Sequence, residues 1–247
     1  MTRTLDFIIR NWETILQRTG EHLSLVGWAV GLALLIGVPL GILITRQKSL
    51  ETPVLTLANI VQTVPSLAFF GFLIPVTGIG WTTAVVVLFL YSLLPIIRNT
   101  YTGVKGVDPS LVEAARGMGL TDFQILHMVE LPLALPVIVV GVRVSTVIAI
   151  GTATVAALVG GGGLGAIILR GLSRANDAQV MAGAIPAALL AIIADLGLTW
   201  VERRLIPAGV RPQQARTRRR SRWSRSERAE ARDVQDQGVG ARATLDG

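Results

Sequence analysis

Residue types that do covalent chemistry are scarce in this chain. It contains two histidines, His22 and His127, and no cysteine. Neither histidine has a partner at metal-ligand spacing, and no Ser/His/Asp grouping is visible. The reading is therefore no metal site, no thiolate nucleophile and no catalytic residue. The run Gly160-Gly161-Gly162-Gly163-Leu164-Gly165 satisfies the letters of G-x-G-x-x-G. A nucleotide site there would need a preceding strand, and a P-loop would need Gly-Lys-Ser/Thr; neither is present. The run reads instead as a flexible break before a short helix at about 164–172.

What remains is polarity placed where apolar residues dominate. Arg143 and Asp195 are ionisable residues inside long apolar stretches, where such residues mark function or pairing. Arg143 lies about eight residues past the start of its stretch and Asp195 eight before Arg203, so both sit roughly 12 Å from the same face. Matched depth suggests a salt bridge. The alternatives are Arg143 reaching Glu130 or the lipid headgroups, with Asp195 capping a polar cavity alone. A second polar interruption is Gln62-Thr63-Val64-Pro65-Ser66. Proline frees a backbone carbonyl, which membranes tolerate where it lines a cavity or is buried in protein. Gln62 and Ser66 are thus candidates for a translocation pathway, a packing kink being the bland alternative.

The elements that must position these residues follow from composition. Only 16% of the 247 residues are charged and 51% are hydrophobic, with mean hydropathy +0.58, against about 25% charged in soluble domains. Residues 52–97, 144–169 and 178–194 carry no Asp, Glu, Lys or Arg. That excludes a soluble enzyme and a disordered chain and predicts an all-α membrane protein. Five spans are expected, at about 23–44, 54–76, 81–97, 133–159 and 178–201, the long uncharged run breaking at Thr77-Gly78-Ile79-Gly80. Lys and Arg concentrate in one set of loops: Arg46 and Lys48, then Arg98, Lys105 and Arg116, then Arg203, Arg204 and the tail. The N-terminus is therefore expected outside and the C-terminus in the cytoplasm.

Residues 1–22 hold Asp6, Arg10, Glu13, Arg18 and Glu21 and no clean apolar core, so no secretory signal is visible. They read as an interfacial amphipathic segment or a frayed terminus. The permease body is expected at 23–207. The net charge of +7 resides mainly beyond residue 204, where ten Arg face five acids. That tail, 208–247, is expected to be disordered, either simply solvated or held by anionic lipid headgroups. No nucleic-acid partner is implied.

The expected cytoplasmic loop, 98–132, is the most informative stretch. Asp108-Pro109 opens a helix, with Asp as N-cap and Pro at the first position. Gly117-Met118-Gly119 ends it. Thr121-Asp122-Phe123-Gln124 reads as a capping box opening a second helix that runs to Leu131-Pro132. Two short capped helices make a knob whose apolar residues need a partner.

Glu113-Ala114-Ala115, three residues, Gly119, nine residues, Val129, one residue and Leu131-Pro132 resembles the EAA loop of ABC importer permeases, with Val129 where the family pattern has Ile. Val61–Ala68, Pro95–Tyr101 and Ile150–Ala157 leading into the glycine run are similar to the glycine betaine/carnitine/choline permeases. The resemblance covers about residues 20–207 and leaves the tail without a counterpart. It implies the type I ABC importer permease fold. It also implies that Glu113, Ala114, Ala115, Gly119, Leu131 and Pro132 belong to a coupling helix docking on a separate cytoplasmic ATPase.

On that resemblance ATP binds the partner and this chain holds no cofactor. A second permease chain, the same or related, completes the pathway. An extracytoplasmic substrate-binding protein meets the glycine-run side, its own aromatic cage holding the quaternary ammonium. The sequence is thus read as the non-enzymatic permease subunit of an osmoprotectant importer in the bacterial inner membrane. The alternatives are another small solute such as methionine, or a secondary transporter; no internal repeat supports the latter.

Overall fold

The computed structural model describes residues 2–205. Met1 and the Arg-rich tail, for which the sequence predicts disorder, lie outside the described residues. All elements described are helical: α1 (Thr2–Arg10), α2 (Trp12–Arg46), α3 (Lys48–Thr63), α4 (Ser66–Thr77), α5 (Trp81–Lys105), α6 (Pro109–Gly117), α7 (Asp122–Ile125), α8 (Leu131–Val155), α9 (Gly163–Ser173) and α10 (Asp177–Leu205). A π-turn, Leu126–Glu130, joins α7 to α8, and a 3-10 turn, Ala156–Val159, ends α8. Trp12–Arg46, Trp81–Lys105, Asp122–Val159 and Asp177–Leu205 are long and apolar enough to cross a bilayer. α3 and α4 together would make a fifth span, but one bent by 103°.

Three expectations about boundaries are corrected. Residues 12–22 do not belong to a separate interfacial segment; they are the first turns of α2, whose 35 residues extend about 52 Å, well past a hydrocarbon core of about 30 Å. α5 does not stop near residue 97 but continues to Lys105. The second loop helix does not end at Leu131-Pro132. Leu131 N–H bonds to Leu126 O across the π-turn, and Pro132, which has no N–H, falls in the first turn of α8. The common reason is that bilayer thickness limits the apolar run, whereas helix hydrogen bonding continues through polar residues into the interface.

α5 forms the centre, with α2 on one side and α8 on another. Small residues let the backbones approach. A Cβ at Gly37 would stand 2.9 Å from Ile96 Cγ2, one at Gly41 2.6 Å from Thr100 Cβ, and one at Gly141 2.8 Å from Pro95 O. Ser145 Oγ donates to Ser92 O at 2.8 Å across α5 and α8. The core is a cluster of buried residues including Leu25, Ala29, Phe70, Leu88, Tyr91 and Ile150. α1 is not free: Phe7 and Ile8 pack against Ile15, Leu164 and Ile167. One end of the bundle gathers Arg46, Lys105, Arg116 and Glu130; it is called the basic end below. The opposite end carries the 78–80 turn, the glycine run, α9 and α1.

Candidate functional site

The site at the basic end starts from two local caps. Asp108 Oδ1 accepts the Ser110 N–H at 2.9 Å, which starts α6 behind Pro109 and holds the Asp108 carboxyl below the usual carboxylate range. Thr121 Oγ1 accepts the Gln124 N–H while Gln124 Oε1 accepts the Thr121 N–H, a complete capping box. Between them Gly119 takes φ +84°. Arg116 Nη2 meets Asp122 Oδ1 at 3.2 Å and ties α6 to α7.

This geometry sorts the resemblance-derived residues. Glu113 and Ala114 are exposed, and Ala115 turns inward and is buried. Leu131 packs against Val104, Ala134 and Ile138 inside the bundle, while Pro132 is exposed. The outer surface is apolar: Leu111, Met118, Phe123 and Met128 are all exposed. Phe123 stacks on His127, ring centroids 5.6 Å apart. Exposed apolar side chains grouped on an otherwise polar surface are a common feature of protein interfaces.

Beneath α6 lies a cleft of about 280 Å³ lined by Arg46, Lys105, Val112, Glu113, Arg116 and Glu130. Glu130, the last residue of the π-turn, is only 5% exposed, and its carboxylate pairs with Arg46 in the last turn of α2. Sequence reasoning missed this pair as a unit. The partners are 84 residues apart, and no local signal joins them.

Arg143 and Asp195 form a bidentate pair between α8 and α10 within one chain. Nε donates to Oδ1 at 2.5 Å and Nη2 to Oδ2 at 3.1 Å. Arg143 does not reach Glu130, which is held by Arg46. Glu202 stands 3.6 Å from Arg143 Nη1, so one cation serves two carboxylates. The i, i+7 spacing of Asp195 and Glu202 on one helix face could have revealed the third member. Arg143→Ala or Asp195→Ala is expected to reduce uptake about five-fold or more, since each strands charge within a span. The exchange Arg143→Asp with Asp195→Arg should restore most of it. Uptake assays on membranes with matched subunit levels check this; singles at wild-type uptake would reject a role for the pair.

At the helix break, Gln62 Nε2 donates to Tyr91 O at 3.0 Å, and Tyr91 OH donates to Val64 O. The carbonyl just before Pro65 is thus satisfied inside the subunit. Ser66, half-buried, opens α4.

The glycine run at the opposite end is fitted rather than loose. Gly160, Gly162 and Gly163 take φ of +78°, +79° and +67°, which β-carbon-bearing residues resist. Glu21, paired with Arg18 at 2.7 Å, accepts the Gly163 N–H at 3.0 Å and so caps α9 from α2. His22, fully buried, places Nε2 3.1 Å from Ile150 O. Beside α1, a cleft of about 770 Å³ is lined by Asp6, Arg10, Arg174, Asn176 and Asp177.

A family model described as the binding-protein-dependent transport system inner membrane component matches residues 37–207. The chain belongs to that family. This inner-membrane component is 45% identical over 210 residues to the glycine betaine/carnitine/choline transport system permease protein OpuCB of Bacillus subtilis, covering 85% of this chain and 97% of that one. It is 46% identical over 213 residues to the osmoprotectant import permease protein OsmW of Salmonella typhimurium, covering 84% and 99%. A chain of the methionine ABC transporter MetNI, solved in inward-facing conformations, superposes with TM-score 0.72 at 24% identity, over 78% of this chain and 96% of that one. The fold of this multi-pass membrane component is therefore that of ABC importer permeases, as the sequence implied.

Proposed function

We propose that this permease imports osmoprotectants such as glycine betaine, carnitine or choline. The near full-length identity of 45–46% to permeases of that name carries the reading. The structural likeness to a methionine transporter, at 24% identity, speaks for the fold only.

In this reading the chain does no chemistry and binds no cofactor. Its basic end faces the cytoplasm, following the excess of Lys and Arg there, which leaves the N-terminal end outside. α6 and α7 dock on a separate ATPase through Leu111, Met118 and Phe123, with Glu113 and Ala114 on the exposed face. A substrate-binding protein meets the opposite end near the glycine run and the cleft beside α1. A second permease chain completes the pathway, which passes the α3–α4 break with Gln62 and Ser66 at its border. Arg143 and Asp195 hold α8 to α10 beside it. Two features support the docking surface: exposed apolar side chains, and a loop geometry set by two caps and one left-handed glycine.

The test is uptake of labelled glycine betaine, carnitine and choline in cells lacking their own importers. The chain is co-expressed with its ABC ATPase and binding protein. Uptake of at least one, abolished by an ATPase Walker-lysine variant, is the expected result; methionine uptake alone would overturn the substrate reading. Gly119→Val should reduce co-purification of the ATPase about ten-fold, because a β-branched residue at φ +84° costs roughly 1–2 kcal/mol and shifts α6 against α7. Gly119→Asn should retain it, since Asn tolerates this region and no heavy atom lies within 4 Å of the added Cβ. Full ATPase recovery with Gly119→Val would refute the docking role.

A further inference from the structure

α3 has an unusual surface. None of its residues is buried, yet from Thr52 onward it lies within the uncharged stretch 52–97. Thr52, Thr56, Asn59 and Thr63 are spaced i, i+4, i+7 and i+11, which places all four within a narrow arc of one helix face. All four are exposed. Pro53, Leu57 and Ile60 are exposed too, but they occupy the adjoining arc of the same helix. The outward surface of α3 is therefore divided lengthwise into a polar strip and an apolar strip.

The rotation of α3 that produces this division is fixed from behind. Gln62 donates to Tyr91 O, Tyr91 OH donates to Val64 O, and Lys105 reaches Glu51 at 3.5 Å near the start of the helix. Thr63 Oγ1 donates to Ile60 O at 2.8 Å. Among the described residues, Thr52, Thr56 and Asn59 have no side-chain hydrogen-bond partner.

Hydrocarbon suits the apolar strip and not the polar one. An unpaired amide or hydroxyl costs several kcal/mol in an apolar medium, so the polar strip requires water or a polar ligand at its surface. Thr52, Thr56, Asn59 and Thr63 carry no charge, so they neither trap nor repel an ion by Coulomb forces. Hydroxyls and an amide offer brief hydrogen bonds to a carboxylate or hydroxyl while leaving a quaternary ammonium hydrated.

We propose that Thr52, Thr56, Asn59 and Thr63 line a water-filled path along α3 for small zwitterionic or quaternary ammonium solutes, with Leu57 and Ile60 turned to lipid. This rests on the permease reading above and assigns the lining to named residues.

The test uses the absence of cysteine. Single replacements Thr52→Cys, Thr56→Cys, Asn59→Cys, Thr63→Cys, Leu57→Cys and Ile60→Cys are made in the full chain, assembled with its ATPase and binding protein in proteoliposomes. Variants that retain uptake are treated with a methanethiosulfonate reagent carrying a trimethylammonium group. Labelling of the four strip positions about ten-fold faster than of 57 and 60 is the expected result. Equal rates around the helix, or faster labelling at 57 and 60, would overturn the lining. So would an oxidative disulfide between two permease copies in the Asn59→Cys variant, which would place the strip in a subunit contact. Saturating glycine betaine, choline or carnitine should slow labelling of the strip. Periodic labelling that none of them slows supports the lining and counts against the osmoprotectant reading, so the two can fail separately.

Discussion

Arg46→Ala is expected to lower the stability of the subunit by about 2–4 kcal/mol, because it strands a buried carboxylate. Glu130 is 5% exposed, and Arg46 is the cation that meets it. The figure is set below that of a fully buried pair because the Arg46 side chain is itself 42% exposed. Removing the charge rather than its partner should cost less. Glu130→Gln is expected to lose about half as much, and Arg46→Met combined with Glu130→Gln should be milder than Arg46→Ala. The measurement is the fraction of detergent-solubilised subunit that stays monodisperse after heating. Arg46→Ala as heat-resistant as the parent chain would refute a stabilising role. The pair matters beyond stability because Glu130 closes the π-turn between α7 and α8. Wide turns of this kind recur at functional positions, and this one is tied to α2 through Arg46.

Gly165→Ala is expected to prevent accumulation of folded subunit, although it adds one methyl group. A Cβ there would stand 2.1 Å from Thr154 O and 2.7 Å from Thr154 C. Those are backbone atoms near the end of α8, and no rotamer change relieves the overlap. Overpacking typically costs about 1–3 kcal/mol; a backbone clash this close should exceed that and push α9 off α8. Gly20→Ala is the matched control. It lies in α2 with nothing within 4 Å of the added atom, so it should be neutral or stabilising by up to about 1 kcal/mol from helix propensity. Membrane yield and size-exclusion profiles of both variants decide the matter. Normal yield of Gly165→Ala would mean that α9 can shift away from Thr154.

These two sites connect through α2. At the basic end Arg46 holds the π-turn, and at the other end Glu21 caps α9 through Gly163. Between them Gly37 and Gly41 seat α2 against Ile96 and Thr100 of α5.

Composition and local spacing were enough to establish an all-α membrane protein and the grammar of its loop. Long uncharged runs point to spans because bilayer insertion penalises charge locally, residue by residue. Asp108, Gly119 and the Thr121–Gln124 box are legible because caps and left-handed turns act within four residues. The depth match of Arg143 and Asp195 was legible too, since rise per residue is constant. Helix rotation is not encoded in that way; it is fixed by packing against distant segments. It therefore took the folded chain to show that the two charges face each other with Glu202 beside them, that Arg46 is the partner of Glu130, and that α3 turns its threonines outward. The same holds for the helix ends. Proline at 132 signals a stop when only its missing N–H is considered, but the π-turn before it lets the helix continue into α8. The bend at Pro65 was visible as an interruption, whereas its 103° angle and the Tyr91 hydroxyl that donates to the Val64 carbonyl from another helix are seen only in the folded chain.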